Sequence, residues 1–261
     1  MRENPGSQPF QRLAMLVGEG ALERLWRTQV LVFGVGGVGG WCAEALARSG
    51  VGRICIADFD AVCESNINRQ LQATSRTLGR AKVDVLKERL LEISPGCEVV
   101  AWERRFSRES AGEFGIGAAD FVVDAIDNLA DKLDLIEAAC ASGARLFSSM
   151  GMARKMDPTR VKTASVWETR GCPLARLVRQ GLRKRGFRGD FTVVYGEECL
   201  DNVPINFYSD AGAPPDVDSA VGQARRGKPP NGSVVTVTAT AGMILASLVL
   251  CGVCGEPGGE R

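Results

Sequence analysis

The sequence predicts an α/β fold built on a doubly wound, mostly parallel sheet, with an added strand and helix at the C-terminus. Three observations carry that reading. Short apolar runs alternate with segments of helical periodicity, which is the pattern of strands joined by crossover helices. A glycine-rich turn, Gly34-Val-Gly-Gly-Val-Gly39, follows the first such run and opens the next helix. The chain is also long enough, at 261 residues with 45% hydrophobic and 24% charged residues, for one full-sized core. Together these describe a Rossmann-like sheet.

The elements follow in order. Residues 10–27 read as short helices, with Leu13, Leu16 and Val17, then Leu22, Leu25 and Trp26, at helical spacing. Gln29–Phe33 is a short apolar strand, 37–49 a helix ended by Gly50, and 53–57 a second strand. Val83, Leu86, Leu90 and Ile93 give 79–93 a helical stripe that Pro95 stops. Further strands are expected at 98–102, 120–123 and 145–148, with a helix at 129–142. Residues 201–232, rich in Asp, Pro, Gly and Asn, predict a long crossover loop. From 232 to 255 there is no charged residue, enough length to cross a bilayer. Its Ser, Thr, Ala and Gly content favours a buried strand at 233–238 followed by a core helix, with membrane association the lesser reading.

The organisation expected is a single domain over 1–261. Residues 1–150 form a nucleotide-binding half, and 151–261 a basic, substrate-facing half. Residues 151–188 hold eleven Lys and Arg against Asp157 and Glu168, a charge of +9 hidden in a total of +1. Histidine is absent, which excludes Ser-His-Asp hydrolysis, Cys-His proteolysis and His-ligated zinc. Nine scattered cysteines, with no apolar leader ahead of them, read as reduced thiols of a cytoplasmic protein.

The chemistry concentrates at predicted strand ends. Gly34, Gly36, Gly37 and Gly39 let backbone N–H groups approach a phosphate at a helix N-terminus. Asp58 ends the second strand, where a carboxylate accepts a ribose hydroxyl, and Asp60 lies two residues on. Asn66, Asn68, Arg69 and Gln70 follow that strand, Lys82 opens the next helix, and Asp127 and Asn128 follow the fourth strand. Two cations, two amides and one or two carboxylates in one crevice suit phosphoryl or nucleotidyl transfer better than hydride transfer. Taken singly, Asp127 also suits a helix cap, Arg69 a surface ion pair and Lys82 a solvated position.

At these residues the chain resembles the ubiquitin-activating-enzyme-like superfamily of ATP-dependent adenylyltransferases, which includes the ThiF and MoeB proteins. Within it the likeness is strongest to the TcdA-type tRNA threonylcarbamoyladenosine dehydratases. The shared stretches are Val32-Phe-Gly-Val-Gly-Gly-Val-Gly, Ala43-Glu-Ala-Leu-Ala-Arg-Ser-Gly-Val-Gly, Asn66-Ile-Asn-Arg-Gln, Gly79-Arg-Ala-Lys-Val-Asp and Val123-Asp-Ala-Ile-Asp, with Asp157-Pro-Thr and Cys172-Pro-Leu-Ala after them. The resemblance implies that Asp58 binds the ribose, that Asn68, Arg69 and Lys82 hold the triphosphate of ATP, and that Asp127 holds Mg²⁺. It implies a homodimer in which Arg12, in Phe10-Gln-Arg, reaches the partner's triphosphate. The activated carboxylate would belong to a threonylcarbamoyl group on tRNA, closing to the cyclic form.

The basic cluster Arg176, Arg179, Arg183, Lys184, Arg185 and Arg188 fits that substrate, since an unbalanced run of cations suits an RNA backbone. The rival reading is an adenylating activator of a ubiquitin-like sulfur-carrier protein, with a sulfur-transfer partner. A third is a non-catalytic nucleotide-binding scaffold. Carrier activators of this superfamily usually hold a structural zinc on two C-x-x-C pairs. Only Cys251 and Cys254 have that spacing here, so zinc is not expected.

Overall fold

Fourteen principal elements follow one another along the chain. The first half holds α1 (Gln11–Val17), α2 (Glu19–Arg27), β1 (Gln29–Phe33), α3 (Gly39–Arg48), β2 (Arg53–Asp58), α4 (Lys82–Ile93), β3 (Glu98–Glu103) and β4 (Phe121–Asp124). The second holds α5 (Leu129–Ser142), β5 (Arg145–Ser149), β6 (Val161–Ser165), α6 (Pro173–Lys184), β7 (Thr192–Gly196) and α7 (Val235–Cys254). The structure is a computed structural model and describes residues 9–202 and 231–255. The larger part of the expected loop at 201–232, residues 203–230, lies outside the described residues.

The strands form one sheet in the order β3-β2-β1-β4-β5-β7-β6. All neighbours are parallel except β6 and β7, so the doubly wound, mostly parallel sheet of the sequence reading is what the chain builds. Period-two alternation divides the core. Val30, Val32, Ile54, Ile56 and Val123 face Leu46, Leu86, Leu90 and Leu245 on one side. Leu31, Phe33, Cys55, Val122 and Leu146 face Leu135, Ile136, Val178 and Leu182 on the other. The sheet is therefore buried on both faces, as a parallel sheet with crossover helices requires.

Two expectations change. The strand expected at 233–238 is the start of a helix, since α7 begins at Val235. Its Val-Thr run has strand propensity, but Val237, Thr238, Ala241 and Leu245 form one buried helical stripe. Tertiary burial outweighs local preference here, and the Thr238 hydroxyl is satisfied within the helix by Val234 and Val235 carbonyls at 3.3 Å. The extra edge pair β6–β7 comes instead from 161–196, which the sequence pattern leaves unassigned.

α7 is long and apolar enough to cross a membrane. In this fold it packs on α3, and so closely that a Cβ at Gly242 would lie 2.5 Å from the Val38 carbonyl oxygen. None of the nine cysteines is in a disulfide.

Candidate active site

Strand order reverses between β1 and β4, and their carboxyl ends open the crevice where α/β sheets take ligands. Gly34 leaves β1 at φ +82°, a left-handed conformation that disfavours a side chain. Gly39 begins α3 so close to that turn that a Cβ would sit 1.9 Å from the Gly34 carbonyl oxygen. The N–H groups of Gly36 and Gly37 donate to no partner among the described residues, which leaves them for a ligand at the head of α3.

Asp58 closes β2 beneath this turn. Its Oδ2 accepts from the Val35 N–H at 2.8 Å and its Oδ1 from the Asp60 N–H at 2.9 Å. Burial pushes its carboxyl above the ordinary aspartate value, while Lys82 and the two N–H donors pull it back. Lys82, at the first position of α4, is 3% exposed. Its Nζ donates to Asp60 Oδ2 at 2.7 Å, so Asp60 anchors this lysine.

Asn66 is buried and its side chain accepts from the Cys63 N–H at 3.3 Å, which holds the turn that presents Arg69. Arg69 donates to the Ser65 carbonyl at 2.7 Å and the Asn68 side chain at 2.9 Å. Burial lowers its pKa, and its electrostatic interaction with Cys63 and Asp127 opposes that. Gln70 is buried, its amide nitrogen 3.7 Å from where a Cβ on Gly36 would stand. Asn128, not Asp127, caps α5: its side chain accepts from Ala130 and Asp131 N–H groups at 2.9 and 3.2 Å. Asp127 is thus exposed at the end of β4 and free of the capping role.

The structure therefore brings Gly34–Gly39, Asp58, Asp60, Lys82, Arg69 and Asp127 to one end of the sheet. It leaves Arg12 elsewhere. Phe10, two residues before it, packs on Gly50 beyond the far end of α3. A ten-residue helix is about 15 Å long, so the Phe10 contact at Gly50 lies about that far from the glycine turn of its own chain.

With this geometry in hand, the ThiF family model matches residues 10–258. The chain belongs to the ThiF family. It is 39% identical over 241 residues to the tRNA threonylcarbamoyladenosine dehydratase of Bacillus subtilis, covering 92% of both chains. It is 34% identical over 214 residues to the Escherichia coli enzyme of that name, covering 82% of this chain and 78% of that one. The crystal structure of Escherichia coli TcdA in complex with ATP matches with a TM-score of 0.81 at 29% identity, over 97% of this chain and 96% of the other. The Escherichia coli sulfur carrier protein ThiS adenylyltransferase matches over 120 residues, 46% of this chain, at 36% identity.

In this ThiF-family chain the basic cluster is divided. α6 starts beside Gly151 at the carboxyl end of β5 and returns to the amino end of β7, so its cations are strung away from the crevice. Arg179 bonds the Thr169 hydroxyl, Arg183 lies over the Trp167 ring at 5.4 Å, and Arg185 pairs with Asp134 at 2.6 Å and Glu137 at 2.9 Å. Arg176, Lys184 and Arg188 are exposed and pair with no acid among the described residues.

Sequence reasoning missed five supports. Lys132 is fully buried and its Nζ donates to Asp124 Oδ2 at 2.6 Å. Trp41 Nε1 donates to the Arg69 carbonyl at 3.1 Å. Arg154, at φ +60°, bonds Leu200 and Gly232, and the Asn68 amide donates to the Ser233 carbonyl at 2.9 Å. Gln72 bonds the Val35 carbonyl at 2.6 Å. A lysine on the buried stripe of α5 was the one legible signal among these.

Proposed function

We propose that this protein is an ATP-dependent tRNA threonylcarbamoyladenosine dehydratase: it adenylates the carboxylate of the modified nucleoside and promotes its closure to the cyclic form. The observation that carries the reading is the convergence of the glycine turn, Arg69, Lys82 and Asp127 on one crevice in a chain alike, over nine-tenths of its length, to a dehydratase. A substrate carboxylate oxygen attacks the α-phosphorus, and the bond to the β-phosphate oxygen breaks as pyrophosphate leaves. Arg69 and Lys82 offset the charge that grows on the leaving group. Asp58 accepts the ribose hydroxyl. The carbamoyl group of the same substrate then attacks the acyl carbon and expels AMP, with proximity supplied by the substrate itself.

Mg²⁺ fits this donor set. The ion is usually held by one or two carboxylates plus phosphate oxygens, not by an all-protein cage. Asp127 is the exposed carboxylate available, and among the described residues no group of three or more metal-ligating side chains converges. When bound, Mg²⁺ supplies Lewis-acid stabilisation of the polyphosphate.

The working unit is a cytoplasmic homodimer in which Arg12 serves the partner's crevice. The contact of Phe10 with Gly50, at the other end of α3 from the glycine turn, supports this, as do Met15 at 77% and Leu16 at 81% exposure on the helix that carries Arg12. An open groove of about 530 Å³ along α7, lined by Pro158, Ala239, Met243 and Ile244 among others, adds a second uncovered apolar surface. The exposed cations Arg176, Lys184 and Arg188 meet the tRNA backbone, with Arg179, Arg183 and Arg185 also part of that face.

The test compares ATP consumption and pyrophosphate release on tRNA carrying threonylcarbamoyl groups with tRNA lacking them. The cyclic nucleoside is followed by mass analysis. Turnover is expected only with the modified tRNA. Pyrophosphate exchange that needs a carrier protein ending in Gly-Gly and ignores tRNA would transfer the assignment to the carrier activators. ATP binding without pyrophosphate release on either would mark a scaffold.

A further inference from the structure

Gln72 is 2% exposed and lies against the backbone of the glycine turn. Its Nε2 donates to the Val35 carbonyl oxygen at 2.6 Å. On the other side of the same residue, Asp58 accepts from the Val35 N–H at 2.8 Å. Val35 is thus clamped at both of its backbone polar groups. The Val35–Gly36 peptide is planar and trans, so its C=O and N–H point in opposite directions. Gln72 draws the carbonyl into the interior, and the Gly36 N–H is thereby turned outward, where it has no partner among the described residues. Space for the amide is cut to fit: a Cβ on Gly40 would lie 3.0 Å from Gln72 Oε1. That Oε1 is buried without a hydrogen-bond partner, a cost accepted by a side chain whose amino end is committed to one carbonyl of the turn.

We propose that Gln72 is a positioning residue for the nucleotide phosphates: it sets the direction of the Gly36 N–H without touching the nucleotide. The inference rests on the ATP-binding reading given above. It assigns Gln72 an effect centred on the phosphates, because the ribose acceptor Asp58 keeps its bond from the Asp60 N–H, which Gln72 does not touch.

The experiment measures equilibrium binding of ATP and of adenosine to the full-length protein, as a direct titration for ATP and by competition for adenosine. Gln72→Leu removes the donor at similar size, and Gln72→Met removes it while keeping the unbranched length of the side chain. Gln72→His restores an N–H at comparable reach. In the Leu and Met variants ATP affinity is expected to fall about tenfold, the scale of one buried hydrogen bond, while adenosine affinity stays within about twofold. The His variant is expected to recover most of the ATP affinity. If the Leu variant does not fold, the Met variant carries the comparison. Equal losses for ATP and adenosine, or no loss for either, would overturn the proposal. A wild-type protein that binds ATP no better than adenosine would remove the ATP reading itself, and the two failures are told apart by that control.

Discussion

Replacing Lys132 with methionine would strand Asp124 in the interior. Both side chains are 0% exposed. Lys132 Nζ donates to Asp124 Oδ2 at 2.6 Å, to the Ser149 carbonyl at 3.0 Å and to Ser148 Oγ at 3.4 Å. Ser148 itself donates to Asp124 Oδ2 at 2.5 Å, and Asp124 Oδ1 accepts from the Ile126 N–H at 3.0 Å. Methionine fills most of the lysine volume, so packing changes little and the charge is what goes. Two neutral donors remain for a carboxylate with no access to water. Removing one partner of a buried pair costs about 3–5 kcal/mol, against a total stability of about 5–15 kcal/mol. Urea unfolding of the single variants and of Lys132→Met with Asp124→Asn gives the coupling. The double variant is expected to regain about 2 kcal/mol or more over Lys132→Met alone, because no buried charge is left. Since Asp124 begins the stretch that carries Asp127, the single variant should also lose adenylation activity beyond its unfolded fraction. A loss under about 1 kcal/mol would refute the argument, since that is the scale of a solvent-screened pair.

Arg69→Ala and Lys82→Ala are each expected to lower adenylation by ~10²–10³-fold in single-turnover assays, as for other preorganised charge contacts; a loss below about fivefold would remove the residue from the leaving-group site. Mixed dimers of Arg12→Ala and Arg69→Ala subunits should recover activity above either parent, because one crevice per dimer is then intact. No recovery in confirmed mixed dimers would place Arg12 outside the partner's site. Asp58, whose carboxyl burial raises above the ordinary 3.8, should protonate earlier on acidification than a solvent-exposed aspartate. The protonated form is a poorer acceptor, so ATP affinity should fall as pH drops toward that raised value, and Asp58→Asn should abolish this step. The same shift works against stability in the other direction: between 3.8 and the raised value the folded state holds the proton more tightly, so stability declines as pH rises through that window.

Much of this protein is legible in the order of its residues. Alternating apolar runs and helical stripes are local periodicities, so β1 to β5 and their helices can be read without any tertiary knowledge. The glycine turn and the strand-end residues Asp58, Arg69, Lys82 and Asp127 are legible for a related reason. In a parallel sheet every strand of the same sense delivers its following loop to the same end. What the residues do there needs the packed molecule. Asp60 becomes the anchor of Lys82, Asn128 takes the cap that leaves Asp127 free, and half of the α6 cations turn to partners within the fold. The Val-Thr run at the start of α7 becomes helix because its buried stripe fits α3. Lys132 and Gln72 act through bonds to Asp124, 8 residues away, and to Val35, 37 residues away. Periodicity reports which way a side chain faces, whereas a hydrogen bond between distant segments depends on where the rest of the chain has brought its partner. Residue order thus specifies the sheet, the crevice and the cast of charges, while packing selects which of those charges hold one another and which stay open to solvent.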